Sequence, residues 1–435
     1  MQIAMIGTGY VGLVSGTCFS EFGFNVICVD KDDAKIEKLK SNIIPIYEPG
    51  LEALVERNQT AGRLSFTTDL KDAVSSADIV FIAVGTPTRR GDGHADLSYV
   101  YSAAKEIAAS MSGYTVVVTK STVPVGTGKQ VFEIIKNENS DLEFDVASNP
   151  EFLREGSAIN DFMRPDRVVV GTMGKKAKKM LQQIYRPLYL IETPIQFTDL
   201  ETAELIKYAA NAFLAVKISY INQIADLCEQ VGADVHDVAK GMGLDKRIGG
   251  KFLHPGPGYG GSCFPKDTLA LVKTAELMGG QISIVDEVVR YNQERKRSMS
   301  DRILSQMQSD VSGKTISILG LAFKPETDDM RDSPALDIIP ELISKGANII
   351  AYDPAAMQEA KSLLSDKVVF AADSEACIKD ADACVIITEW NEFRAITAVR
   401  FLELMKGNVL VDLRNVYLPS EMRDVGLNYT SIGRR

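Results

Sequence analysis

The chain has 435 residues, enough for two or three domains with sizeable cores. At 45% hydrophobic and 24% charged it has the composition of an ordinary soluble globular protein. Its net charge of -10 argues against nucleic acid or an anionic membrane as the main partner. Apolar runs such as residues 79–84 are far too short to span a bilayer. Residues 2–6 lead straight into a strand, with no basic leader and no cleavage site. The six cysteines are scattered singly, without disulfide or metal spacing, which fits a reducing cytoplasm. With three histidines and no clustered ligand set, no metal is expected.

The chain opens with a short apolar strand over 3–6 that runs into Gly7, Gly9, Tyr10, Val11 and Gly12. A helix over 14–21 and a second strand over 25–29 follow, and the strand ends at Asp30. A glycine turn between strand and helix, with an acid at the end of the next strand, is a dinucleotide-binding pattern. The glycines let the backbone approach a pyrophosphate at the helix start, and Asp30 can accept from a ribose 2′-hydroxyl. The same carboxylate repels a 2′-phosphate, so the cofactor expected is NAD.

Strands over 78–84, 115–119, 145–148 and 167–171 alternate with helices, as in a parallel sheet covered on both faces. Ligands of such sheets bind beyond the carboxyl ends of the strands. There stand Thr86 and Pro87, then Thr122, then residues 149–155 with Glu151. Any one of these ends also reads as a turn; three polar ends in one crevice favour a site.

From 198 to 231 there is neither glycine nor proline. Apolar residues wrap most of the circumference of a helix of about 34 residues, roughly 50 Å long. Such a helix is expected to be buried between domains or against a second subunit. Lys207 and Asn211 interrupt the apolar wall on one face. They read either as a snorkelling lysine with a neighbouring amide or as a polar pair facing a cleft, and the surrounding apolar surface favours the cleft.

A glycine- and proline-rich loop leads to Gly258-Tyr259-Gly260-Gly261-Ser262-Cys263-Phe264-Pro265-Lys266-Asp267. Pro265 suits a helix start, so Cys263 lies where unpaired amides and the Lys266 ammonium favour thiolate. Asp267 follows about one turn later, within reach of whatever the sulfur binds. The stretch reads as a nucleophile with an acid/base partner, or equally as a glycine turn followed by a helix with a small buried cysteine. A helix over 284–308 then leaves this middle region.

At Thr315 the opening pattern returns: a strand over 316–319, a helix over 333–345 and a strand over 348–352 ending at Asp353. This second nucleotide-type fold lacks the three-glycine turn, so its ligand is expected to differ from NAD. Lys324, Arg331 and Arg414 lie at strand ends or adjoining loops, either to hold a phosphate or base or as solvated cations. The fold expected is α/β, with two doubly wound Rossmann-like domains joined by a long central helix and a helical middle domain. The boundaries expected are 1–197, 198–310 and 311–435.

With these residues assembled, the chain resembles the UDP-glucose/GDP-mannose dehydrogenase family nearly end to end. The segments that carry the resemblance are residues 7–12, 85–88, 121–126, 149–155, 207–211, 260–267 and 320–334. Gly-Gly-Ser-Cys-Phe-Pro-Lys-Asp is far more specific than the glycine turn. The resemblance implies oxidation of a nucleotide sugar's C6 alcohol to a carboxylate, with two NAD per turnover, through a thiohemiacetal and a thioester on Cys263. Phe264 and the Arg247-Ile248-Gly249 spacing lean toward UDP-glucose, giving UDP-glucuronate, over GDP-mannose. A catalytically idle nucleotide-sugar sensor is a reading of another class, and the complete Cys263, Lys207 and Asp267 set argues against it.

Carried over position by position, the resemblance implies that Lys207 stabilises oxyanions while Asp267, Thr122 and Glu151 handle water and protons. Asn211 and Lys266 position the reacting groups. Phe152, Leu153, Arg154, Glu155, Phe252, Leu253, Tyr259, Gly260, Lys324 and Arg414 hold the nucleotide sugar. Arg247 reaches a neighbouring subunit's substrate, which implies a homodimer or higher oligomer. Lys35 lies near the ribose that Asp30 binds. Arg331, Thr86, Pro87, Glu155 and Lys266 approach the cofactor.

Overall fold

The computed structural model describes residues 1–89, 93–308 and 310–434. It divides into two compact units, residues 1–210 with 273–280, and residues 211–272 with 281–435. The first unit is built on eight strands: β1 (Gln2–Ile6), β2 (Asn25–Val29), β3 (Leu64–Thr67), β4 (Ile79–Ile82), β5 (Thr115–Thr119), β6 (Phe144–Ser148), β7 (Val168–Gly171) and β8 (Ile195–Thr198). They lie in the order β3-β2-β1-β4-β5-β6-β7-β8. Alternation along each strand sends side chains to opposite faces. Ile3 and Met5 of β1 join a core with Leu13, Val14 and Phe19 of the helix Tyr10–Glu21. Ala4 and Ile6 join a second core with Val100, Ala104 and Val131 from helices on the other face.

The expectation of a wholly parallel sheet is corrected at one place. β6 and β7 are antiparallel, and their pairing is confined to Ser148 opposite Gly171. The connection between them passes through residues 149–155 and the six-residue helix Ala158–Met163, so it is no regular crossover helix.

The second unit carries six strands: β9 (Thr315–Leu319), β10 (Asn348–Tyr352), β11 (Val368–Phe370), β12 (Ala383–Ile386), β13 (Val409–Asp412) and β14 (Asn428–Ser431). All pair in parallel, in the order β11-β10-β9-β12-β13-β14. Both sheets therefore reverse direction beside their first strand, between β1 and β4 and between β9 and β12. That switch point is where doubly wound folds bind ligands.

The long helix runs from Leu200 to Val231, 32 residues. Within the single chain one stripe of its apolar surface is open to solvent. Leu205, Phe213, Tyr220 and Leu227 are 45%, 64%, 47% and 49% exposed. Their spacing of seven and eight residues puts them on one stripe. The rest of the circumference carries the buried Ala203, Tyr208, Ala212, Ala215 and Ile221. Among the described residues, no helix is long and apolar enough to cross a membrane.

Candidate active site

In the first unit the helix Tyr10–Glu21 begins at Gly9, which offers no capping side chain. Its first amides are therefore left for an anion, as a pyrophosphate requires. Asp30, at the end of β2, accepts from the Thr8 amide at 2.9 Å and the Thr8 hydroxyl at 2.6 Å, and pairs with Lys35 at 2.9 Å. Burial pushes its carboxyl up, but the Thr8 donors and the Lys35 ammonium outweigh this and hold it at about 2. It is a carboxylate at any working pH. All three bonds fall on one oxygen, Oδ2; Oδ1 takes only the Asp32 amide at 3.2 Å. A ribose hydroxyl fits that second oxygen.

Tyr10 donates to Glu48, which also accepts from the Gly156 amide at 2.8 Å and the Ile159 amide at 3.3 Å. Burial and the Glu48 carboxylate both push the Tyr10 phenol upward. Glu48 thus joins the glycine turn to the end of the 149–155 segment. Sequence reasoning passed over it.

Beyond β4 and β5, the Thr86 hydroxyl donates to the Thr122 carbonyl at 3.0 Å. Beyond β6, Glu151 forms a buried ion pair with Lys207 at 3.1 Å, each side chain 4% exposed. Phe152 lies under two cations, with Arg167 at 3.7 Å and Lys207 at 5.3 Å from its ring centre. Lys120, also unforeseen, is buried, with Asn149 Oδ1 and the Asn149 carbonyl 3.2 and 3.4 Å from its ammonium. Burial pushes its pKa down to about 8, the Glu151 carboxylate opposes this, and the Lys207 charge adds to it. Arg154 is turned to Asp161, with guanidinium–carboxylate contacts at 2.6 and 2.9 Å.

In the second unit Cys263 stands immediately before the helix Phe264–Leu277, and its carbonyl takes the Asp267 amide at 2.8 Å. The Ser262 hydroxyl lies 3.5 Å from its sulfur. Cys263 is partly exposed while the other five cysteines are buried. Asp267 is fully buried; it accepts from Asn211 at 2.7 Å and pairs with Lys266 at 2.8 Å. Lys207 and Asn211 are therefore one turn apart on one helix, each committed to a different carboxylate.

The loop before the cysteine is pinned by residues that sequence reasoning missed. Asn222 accepts from the Gly256 amide at 2.8 Å and Arg295 donates to the Gly256 carbonyl at 2.7 Å. Asn292 exchanges two hydrogen bonds with the Tyr259 backbone, at 2.8 and 2.9 Å. These four contacts leave the loop little freedom. A Cβ on Gly260 would lie 2.3 Å from the Asp332 carbonyl oxygen, and one on Gly261 2.7 Å from the Phe323 ring. Only glycine lets the cysteine turn lie against residues 323–332. Within that contact the Gly261 amide donates to the Arg331 carbonyl at 2.7 Å. Phe252 and Tyr259 both meet the Phe264 ring edge-on, with centres 6.1 Å apart. Leu253 is buried nearby in sequence.

Arg414 is no solvated cation: it donates to the Ile387 and Phe323 carbonyls at 2.7 and 2.9 Å and pairs with Glu389. Lys324 lies 5.4 Å from the Phe323 ring centre. Arg331 pairs with Asp329, and Arg247, its side chain 89% exposed, pairs with Asp245.

A glycine turn with bare helix amides and an ionised acid at the next strand end define a dinucleotide-binding fold. The family models agree. The NAD binding domain of the UDP-glucose/GDP-mannose dehydrogenase family matches residues 1–189. Its central domain matches 201–294 and its UDP binding domain 317–419. The chain is 58% identical to the UDP-glucose 6-dehydrogenase of Rhizobium meliloti, covering 100% of both. It is 52% identical to one from Bacillus subtilis, covering 100% of this chain and 93% of that one. A solved UDP-glucose dehydrogenase from Pyrobaculum islandicum superimposes with a TM-score of 0.91 at 37% identity, covering 100% and 98%. This chain belongs to the UDP-glucose/GDP-mannose dehydrogenase family. It is an oxidoreductase, and its cofactor is NAD.

Proposed function

We propose that the protein oxidises C6 of UDP-glucose to the carboxylate of UDP-glucuronate through a covalent intermediate on Cys263. The observation that carries this reading is the cluster of the buried Asn211 and Asp267 with Lys266, at the first turn of the helix that follows Cys263. NAD, when bound, accepts a hydride in each of two oxidations. The chain supplies the rest. Glu151 takes the proton from the alcohol as the aldehyde forms, with the Thr122 hydroxyl as its relay, and Asp267 takes the proton of the water that later attacks the thioester. The Cys263 thiolate then adds to the aldehyde carbon, making a C–S bond and an oxyanion that the Lys207 ammonium stabilises. Loss of the second hydride leaves a thioester. Water attacks it, the C–S bond breaks, and the thiolate returns with release of the acid. The covalent bond also keeps the aldehyde from escaping between the two oxidations.

Phe152, Leu153, Glu155, Phe252, Tyr259, Lys324 and Arg414 are proposed to hold the nucleotide sugar, with 1–197 as the cofactor domain, 198–310 as the central domain and 311–435 as the nucleotide-sugar domain. Support for the substrate comes from the named relatives, all UDP-glucose dehydrogenases. The test is NADH formation with UDP-glucose, GDP-mannose and UDP-N-acetyl sugars side by side, using NAD and NADP in turn. UDP-glucose should be preferred. NAD should exceed NADP in kcat/KM by at least about tenfold, or 1.4 kcal/mol, because the ionised Asp30 repels a 2′-phosphate. Faster turnover of GDP-mannose would overturn the substrate, and equal use of both cofactors the role of Asp30.

The exposed stripe of Leu205, Phe213, Tyr220 and Leu227, with the outward Arg247, supports a homodimer or higher oligomer, and the scattered single cysteines support a cytoplasmic location. Sedimentation should show no monomer at micromolar concentration; a fully active monomer would contradict it.

A further inference from the structure

Glu204 lies three residues before Lys207 on the long helix and is only 2% exposed. Its Oε2 accepts from the Gly126 amide at 2.7 Å. Its Oε1 accepts from the Gly128 amide at 2.7 Å and the Ser148 hydroxyl at 3.1 Å. Gly126 and Gly128 frame the start of the helix Thr127–Glu138, which has no capping side chain of its own. A carboxylate 78 residues along the chain from Gly126 therefore caps that helix from outside, where orphan amides and the positive end of the dipole favour it.

The loop is shaped to receive it. Gly126 has φ +94°, and a Cβ on Gly128 would lie 3.0 Å from Glu204 Oε1 and 3.1 Å from Ser148 Oγ. Burial pushes the Glu204 carboxyl up to about 7 against the pull of its three donors. The loop so held, residues 121–126, carries Thr122, whose carbonyl is tied to Thr86. One turn further along the long helix, Lys207 pairs with Glu151. Two contacts a turn apart thus dock the start of this helix onto the ends of β5 and β6.

We propose that Glu204 is a positioning residue: it fixes the Thr122 loop against the helix that carries Lys207, so the proton-handling hydroxyl and the ammonium keep a constant separation. The roles of Thr122 and Lys207 rest on the reading given under Proposed function. Glu204→Gln keeps the shape but turns an NH2 group toward one of the donors. Gly128→Ala disturbs the same contact from the loop side and leaves the long helix untouched.

The test combines amide hydrogen exchange of the full chain with steady-state kinetics, using UDP-glucose and its C6-dideuterated form. Both variants should speed exchange across residues 121–131 and leave β2 unchanged. In both, kcat should fall by about 10- to 100-fold, the scale of a small misplacement of reacting groups. KM for UDP-glucose and the NADH dissociation constant should stay within about twofold, and a primary isotope effect should emerge. Unchanged exchange across 121–131 in folded Glu204→Gln overturns the proposal whatever the activity. So does a fall in kcat that only tracks the loss of folded protein, with no isotope effect. If the unaltered protein makes no NADH from UDP-glucose, the functional reading fails, and the exchange measurement still decides whether Glu204 clamps the loop.

Discussion

Asp267→Asn should convert the enzyme into one that reacts once per site and stops. Its side chain is fully buried, and the substitution is isosteric, so Asn211 still has an oxygen to donate to. What is lost is the charge facing Lys266 and the capacity to accept a proton. Removing a general base costs about 10²- to 10⁴-fold in rate. The hydride transfers leave from C6 and need no proton acceptor at this carboxylate once the thiohemiacetal has formed, so hydrolysis should suffer most. Rapid mixing with NAD and UDP-glucose should give a burst of two NADH per site and then near arrest. Cys263→Ala should show no such burst. Slow steady turnover of Asp267→Asn without a burst would place the carboxylate earlier in the sequence, or in holding the loop.

Lys207→Met should damage both rate and stability. Loss of one fixed donor at a developing oxyanion costs about 10²- to 10³-fold. The substitution also strands the Glu151 carboxylate, and breaking a buried pair by removing one partner costs about 3–5 kcal/mol. The lower end is expected, because Lys120, relieved of the repulsion from Lys207, can carry charge facing Glu151. The double variant Lys207→Met/Glu151→Gln should regain most of the thermal stability and none of the turnover. If the double variant also regains activity, Lys207 serves only as the partner of Glu151. Unaltered stability in the single variant would mean that the pair contributes little to the fold.

Local signals in the sequence were enough to find the inner strands of both sheets and the cysteine turn, while the edge strands β3, β8, β11 and β14 went unread. β1 with its glycine turn and β2 ending at Asp30 could be read because strand alternation and turn chemistry are local. The same logic found β10 ending at Asp353, but the use of that acid could not be read. Asp353 accepts from the Leu321, Ala322 and Trp390 N–H groups at 2.7, 3.0 and 3.1 Å, so it is consumed in building its own turn. Identical punctuation gives an acid with an oxygen to offer in one sheet and a saturated one in the other, because Asp353 Oδ1 also takes the Ala355 and Ala356 amides at 2.9 Å, where Asp30 Oδ1 takes the Asp32 amide alone.

Long range also hid Glu48, Lys120, Glu204 and Arg295, whose partners named above lie 29 to 111 residues away. Glu204 left one trace: with Lys207 and Asn211 it forms a polar row at three- and four-residue spacing along the helix. The same helix was expected to be covered between domains or by a second subunit; apolar character reports that a surface needs cover, and says nothing of which chain provides it.

The covalent chemistry at Cys263 is tested most directly by intact-protein mass spectrometry of Asp267→Asn, quenched after its burst with NAD and UDP-glucose. The protein should gain the mass of a UDP-glucuronyl group, fragmentation should place it on Cys263, and hydroxylamine should release it as a thioester requires. Unmodified protein alongside two NADH per site would contradict the covalent route.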